Sequence, residues 1–307
     1  MSTLVMTSES VTYGLAMVIF SLVCLCLNGV VLTVVAKNSV FHKHTSYKLI
    51  ILLGICDVLQ VIAHFVTGIF TMFQLDVNQW VYYKALGLLP SPSYETYVFV
   101  TVVLAFNRFL IFCVPVCERR LFSPFGNKVW AALAFIIFLL HVLVQLTGRV
   151  FNYYSVTEYK WTFNESYPWT EARAEFAFYY QMCGIFVAWI FYVITAIFLL
   201  RFRKQLASTT SSKANRIILL QAFVITVYCS ISNFLWHKID RFIEPGNLTN
   251  FLLNMMWIGN NGLSTFLCVS MNKSVREHIV NAFQRLYSAN SIRAFKLKRA
   301  SLTYNNS

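Results

Sequence analysis

The sequence predicts an all-α integral membrane protein. The fold is a bundle of seven transmembrane helices with the N-terminus outside and a short amphipathic helix after the seventh. Three observations carry this reading. Apolar residues make up 58% of the 307 residues and charged residues 12%, against about 45–50% and about 25% in soluble globular domains. Seven apolar runs reach about 20 residues, the length that crosses a hydrocarbon core as a helix. The lysines and arginines fall mostly on alternate loops. A chain with 28 Phe, 16 Tyr and 7 Trp cannot cover itself with polar side chains in water. That excludes a soluble enzyme, a disordered chain and a disulfide-stapled secreted domain.

The spans are predicted at about residues 11–36, 49–74, 93–116, 129–148, 176–200, 217–236 and 250–271. The first is too long for a signal-peptide core and no Lys or Arg precedes it, so it is expected to be an uncleaved span with a short extracellular start. The second carries Asp57. The third carries Glu95 near its outer start and Arg108 near its inner end, and the other five hold no charged residue. The short alternating segments of a membrane barrel are not found. Beyond the last span, Val275, Ile279, Ala282 or Phe283, and Leu286 recur at helical spacing with Arg276 and Arg285 between them. This pattern predicts a surface helix over 274–287. One seven-helix domain therefore covers 1–287, followed by a basic cytosolic tail over 288–307 that is expected to be disordered.

Charge decides the orientation. Nineteen of the 25 lysines and arginines lie in the loops after spans one, three and five, in the tail, or at the inner end of span three. Nine of the twelve acidic residues lie on the opposite side. The basic side is the cytosolic one. The net charge of +13 is thus a membrane face apposed to anionic lipid, and nucleic acid is not needed to explain it. Two N-x-[ST] sites, at Asn164 and Asn247, fall in predicted outer loops as glycosylation acceptors. The eight cysteines all lie in spans or at inner ends, so no extracellular disulfide is expected.

Several residues then match one superfamily position by position. Asn28 with Val31 resembles the N-x-x-V of the first span of G-protein-coupled receptors. Leu53-x-x-x-Asp57 resembles the L-x-x-x-D of the second, and Asn107-Arg108-Phe109 occupies the place of D/E-R-Y in the third. Asn260, Asn261 and Phe266 stand where the seventh carries N-P-x-x-Y. Leu104-Ala105-Phe106-Asn107-Arg108 and Asn272-Lys273-Ser274-Val275-Arg276 resemble the L-A-L-N-R and N-K-T-I-R of nematode serpentine chemoreceptors. The run Gly54–Gln60 and Gln221 resemble class T. The chain departs from the better-known receptors at Tyr83, where the outer-disulfide cysteine would stand, and at Pro90, where amine receptors carry Asp. It also lacks prolines inside spans five to seven. The resemblance implies an external small organic ligand and a cytosolic heterotrimeric G protein as partners, with no cofactor and no metal.

It also implies roles. Asp57, with Asn28 and the Asn260–Asn261 pair as its available partners, would form a switch cluster that holds water or sodium and repacks. The plain alternative is polar glue between helices. Arg108, preceded by Asn107, would mark the G-protein contact; the plain alternative is an anchor snorkelling to the lipid interface. With no acid beside it or at the start of span six, no locking salt bridge is expected across the inner ends. Aromatic walls with a few polar tips suit a small, mostly uncharged ligand. The candidate lining is Tyr94, Glu95, Phe99, Tyr180, Asn233, Trp236, Asn254 and Trp257, with the Tyr/Trp-rich loop Asn152–Trp169 as a cap. The competing classes fare worse. A retinal protein needs a lysine inside span seven, and Lys273 lies beyond it. No H-E-x-x-H or G-x-S-x-G occurs. A transporter would show broken spans in matching halves. An odorant-gated channel of the inverted seven-span type would put the basic loops outside.

Overall fold

In lipid a helix satisfies its own backbone hydrogen bonds, so each apolar run becomes one. The structure, a computed structural model, describes residues 5–38, 41, 45–75, 85–201, 210–244, 246–282 and 284, and of 210–218 the backbone alone. Its long helices are α1 (Ser8–Lys37), α2 (Thr45–Phe73), α3 (Pro90–Cys113), α4 (Pro124–Leu146), α5 (Thr170–Arg201), α6 (Thr210–Lys238) and α7 (Asn247–Met271). Together they form the seven-helix bundle. Most outrun the predicted spans, because hydropathy sees only the part of a helix that lipid covers. At its N-terminus α1 is closed by a capping box between Thr7 and Ser10.

α3 stops earlier than the predicted 93–116. Pro115 cannot donate and pushes Val114 out of the helical region, to φ −143° and ψ 64°. A separate seven-residue helix, Pro115–Leu121, follows. Six of the helical segments are long and apolar enough to cross a membrane. The exception is α7, whose composition is diluted by Asn247, Asn250, Asn254, Asn260 and Asn261. The last four of these are buried inside the bundle.

Burial shows which helix is central. Seventeen of the 24 residues of α3 are buried, against only Ala134, His141 and Gln145 on α4. α3 therefore threads the middle and α4 lies at the edge, where Phe135, Leu140 and Leu143 remain exposed as a lipid-facing surface. α1 and α2 meet backbone to backbone at Gly14. A Cβ there would sit 2.6 Å from the carbonyl oxygen of Gly68, which only a glycine allows.

A buried charge cluster ties α3 to α4 and α5. One Glu95 oxygen accepts from the Arg173 guanidinium and the other lies 2.7 Å from His141 Nδ1. The same Arg173 nitrogen donates to Ser91 Oγ at 3.1 Å. Glu95 is as fully buried as Asp57, although its position in the sequence reads as the outer margin of a span.

Between α4 and α5 the chain forms a hairpin of β1 (Asn152–Ser155) and β2 (Lys160–Phe163), with Tyr154 paired to Trp161. The sequence predicted a capping loop here but no strand. The four-residue strands are too short to show an alternation, and the turn places Tyr159 rather than Gly or Asn at positive φ (53°). After α7, residues 273–282 are helical. Val275 and Ile279 pack on Val31, Val35, Phe41 and Cys268, and Arg276 donates to the free carbonyls of Val269 and Ser270 at the end of α7. Phe283, Leu286 and the tail 288–307 lie outside the residues whose structure is described.

Two outcomes are expected. Gly14→Leu forces α1 off α2 and lowers the apparent unfolding midpoint in detergent, at an overpacking cost of about 1–3 kcal/mol. Arg173→Met strands the Glu95 carboxylate and destabilises by about 3–5 kcal/mol, whereas Glu95→Gln with Arg173→Met recovers most of that loss. Thermal unfolding of the three variants checks both.

Candidate functional site

At the hairpin end the helices line a half-open cavity of about 90 Å³. Its aromatic wall comes from α3, α6 and α7. The Trp257 ring meets Trp236 at 4.9 Å and Tyr94 at 5.7 Å between centroids, both edge to face. Asn233 donates to the Tyr94 hydroxyl at 2.5 Å and to the Cys229 carbonyl at 2.9 Å, so the α3–α6 wall is held by one side chain. Across from it, His237 Nε2 and Gln181 Oε1 lie 3.0 Å apart and close the seam between α6 and α5. Asn152, Trp161 and Phe163 of the hairpin form the roof, and Asn260 lines the deep end.

The hairpin is held without a covalent link. The side chains of Asn250 and Asn254 donate to the turn carbonyls of Glu158 and Tyr159, and Gln74 donates to that of Val156 at 3.3 Å. The Tyr154 hydroxyl sits 2.9 Å from Thr71 Oγ1, and burial pushes this phenol above its ordinary range. The Tyr13 ring stacks on Phe251 at 4.1 Å and meets Tyr159 at 5.3 Å, which braces the strained turn from α1.

Of the residues proposed from the sequence for a pocket, Tyr94, Asn233, Trp236 and Trp257 line this cavity. The other four do not. Glu95 is spent on Arg173 and His141. Tyr180 donates to the Glu95 carbonyl at 3.2 Å and stacks on Phe176. Phe99 faces Trp130, and Asn254 holds the hairpin. Asn152, Trp161, Phe163, Gln181 and His237 were missed. The aromatic density of the 152–169 loop was the one signal pointing to the first three. Gln181 and His237 directly follow Tyr180 and Trp236, but no sequence pattern shows that they meet across the seam between α5 and α6.

Below the cavity lies a second polar layer. The expected partners of Asp57 are corrected by the structure, because its Oδ2 accepts from Ser264 Oγ at 2.8 Å. Asn28 instead spans α1 and α7. It donates to the Asn261 carbonyl at 2.9 Å and accepts from Thr265 Oγ1 at 2.5 Å. Ser264 and Thr265 fall three and four residues after Asn261, on the same helix face. That spacing could have identified them. Asp57 Oδ1, the Asn260 amide nitrogen and both polar atoms of the Asn261 side chain have no protein partner among the described residues. Gln60, three residues after Asp57, accepts from the Trp257 indole at 2.7 Å. Trp257 thus joins the cavity wall to the layer beneath.

At the far end Arg108 is fully buried, which overturns the snorkelling alternative. None of its guanidinium nitrogens has a hydrogen-bond partner among the described residues. Asn107 accepts from Ser46 at 3.4 Å, and Asn272 donates to the Tyr47 hydroxyl at 2.7 Å. Asn164 is half-buried in a turn, its side chain accepting from the Ser166 backbone. Asn247 is exposed at the start of α7.

No curated protein matches the chain by sequence. Among solved structures, squid rhodopsin matches with a TM-score of 0.71 at 12% identity, over 94% of this chain and 92% of that one. At that identity the likeness shows the fold. The profile of the family described as serpentine type 7TM GPCR chemoreceptor Srt matches residues 2–291. The chain therefore belongs to the Srt family of serpentine seven-transmembrane chemoreceptors, a receptor class of membrane protein.

Proposed function

We propose that this protein is a chemosensory receptor of the plasma membrane, with its N-terminus and hairpin outside. It binds a small organic molecule in the hairpin-end cavity and activates a cytosolic heterotrimeric G protein at the Arg108 end. The observation that carries this reading is the position of Trp257. One face of the ring forms cavity wall, while its N–H is bonded to Gln60, one turn from Asp57. A ligand that displaces Trp257 pulls on α2 and on the α7 segment that holds Asn260, Asn261 and Ser264. The atoms without protein partners around Asp57 let that layer repack without breaking a saturated network. At the other end, Arg108 is a buried cation with no acid bonded to it among the described residues. It offers its donors to a partner's carbonyl or carboxylate groups once the helix ends part. With no lock to break, exchange on the G protein is measurable without ligand.

Two measurements test this. A tag at the N-terminus is expected to stain on intact cells. Staining only after permeabilisation, with the protein at the surface, would place the basic loops outside and favour an inverted channel. Arg108→Ala is expected to lower receptor-stimulated nucleotide exchange by about tenfold or more, the loss of one charge-assisted hydrogen bond, at unchanged surface level. Exchange equal to the parent would remove Arg108 from the coupling surface.

A further inference from the structure

Resting on the receptor reading, we infer that the cavity selects uncharged ligands with a flat body and two hydrogen-bond acceptors, and rejects ammonium and carboxylate compounds. Among the described residues, no Asp, Glu, Lys or Arg lines it. The nearest ion cluster, Glu95 with Arg173 and His141, neutralises itself. A charged ligand would lose its hydration and meet no counter-charge, a cost far above that for a neutral polar group. The edge-to-face Trp236, Trp257 and Tyr94 wall leaves ring faces for a planar body.

The count of donors and acceptors supplies the finer rule. Two acceptors along the wall are engaged, Gln181 Oε1 with His237 and the Tyr94 hydroxyl with Asn233, and the Ser232 hydroxyl in the lining can donate or accept. Two donor nitrogens are not engaged. Trp161, in the roof, is 6% exposed and Asn260, at the deep end, is 1% exposed. Neither the indole N–H of the first nor the amide nitrogen of the second has a protein partner among the described residues. An indole N–H can only donate. Neither nitrogen is open to the cavity in this structure; buried donors left unpaired are costly, so a ligand toward which each side chain turns to meet an acceptor gains what an apolar molecule of the same shape does not. Carbonyls, esters and ring nitrogens meet this need; the second acceptor must reach the level of Asn260, about 4.5 Å deeper along α7 than Trp257 at 1.5 Å per residue.

The test uses one ring with matched substituents, added to the full chain in nanodiscs and read by the shift in thermal midpoint. The probes are 1,4-diacetylbenzene, 4-ethylacetophenone, 1,4-diethylbenzene, terephthalate and p-xylylenediamine. Diacetylbenzene is expected to bind most tightly, with each lost carbonyl weakening binding about five- to tenfold and neither charged probe giving a shift. Trp161→Phe keeps a ring in the roof and removes its donor. Trp161→Phe and Asn260→Leu should each cut the preference for diacetylbenzene over diethylbenzene by about five- to tenfold, with diethylbenzene binding unchanged. Equal or tighter binding of a charged probe, an unaltered preference in Trp161→Phe, or no shift with any probe would overturn the ligand class. Nucleotide exchange on the same preparations separates the two readings. Exchange that persists while the probes fail leaves the receptor standing without this ligand rule. Selective binding of diacetylbenzene with no exchange leaves the rule standing without the receptor.

Discussion

A hydrocarbon layer offers no hydrogen bonds, and that single constraint organises this molecule. Every polar group carried into the bundle must find its partner within the protein, and α2, α3 and α7 together carry more than half of the buried polar side chains among the described residues. α7 shows the consequence most plainly. Its most apolar stretch is less apolar than those of the other six long helices, and its asparagines serve successive levels of the bundle. Asn250 and Asn254 hold the hairpin, Asn260 lines the cavity, and the Asn261 carbonyl receives Asn28. One helix thus links the roof, the cavity and the layer around Asp57.

The same constraint accounts for the way the hairpin is attached. All eight cysteines are free, and the structure fastens the hairpin through backbone acceptors. Three turn carbonyls are taken by amide side chains from α2 and α7, with the Tyr154 hydroxyl beside Thr71. The outer half of α3 is tied down separately by Glu95 with Arg173 and His141. Such a buried pair contributes little net stability but is costly to break, so it sets the position of α3 more than the stability of the bundle. The wall that includes Tyr94 inherits its place from this cluster one residue away.

Buried polar atoms without protein partners occur at several levels among the described residues, and two groups of them lie around Asp57 and at Arg108. A layer that is saturated is rigid, and one with spare donors and acceptors has more than one arrangement of similar energy. The layer around Asp57 and the Arg108 end therefore have more than one way to pair their polar groups.

Composition, the seven apolar runs and the residues around Asn28, Asp57 and Arg108 made the architecture and the family legible in one dimension, because the requirement to satisfy a helix backbone in lipid acts on each span by itself. The aromatic and amide residues of the cavity wall were legible as types. Their assignment to roles was not. Glu95 and Asn254 read as ligand contacts but are spent on Arg173 and on a turn carbonyl. Gln181 and His237 read as nothing and meet across a helix seam. Asp57 took Ser264 in place of the asparagines. Which partner a polar side chain finds depends on the rotation and depth of a helix from elsewhere in the chain, to within an ångström or so. No local pattern in the sequence encodes that, and only the assembled bundle decides it.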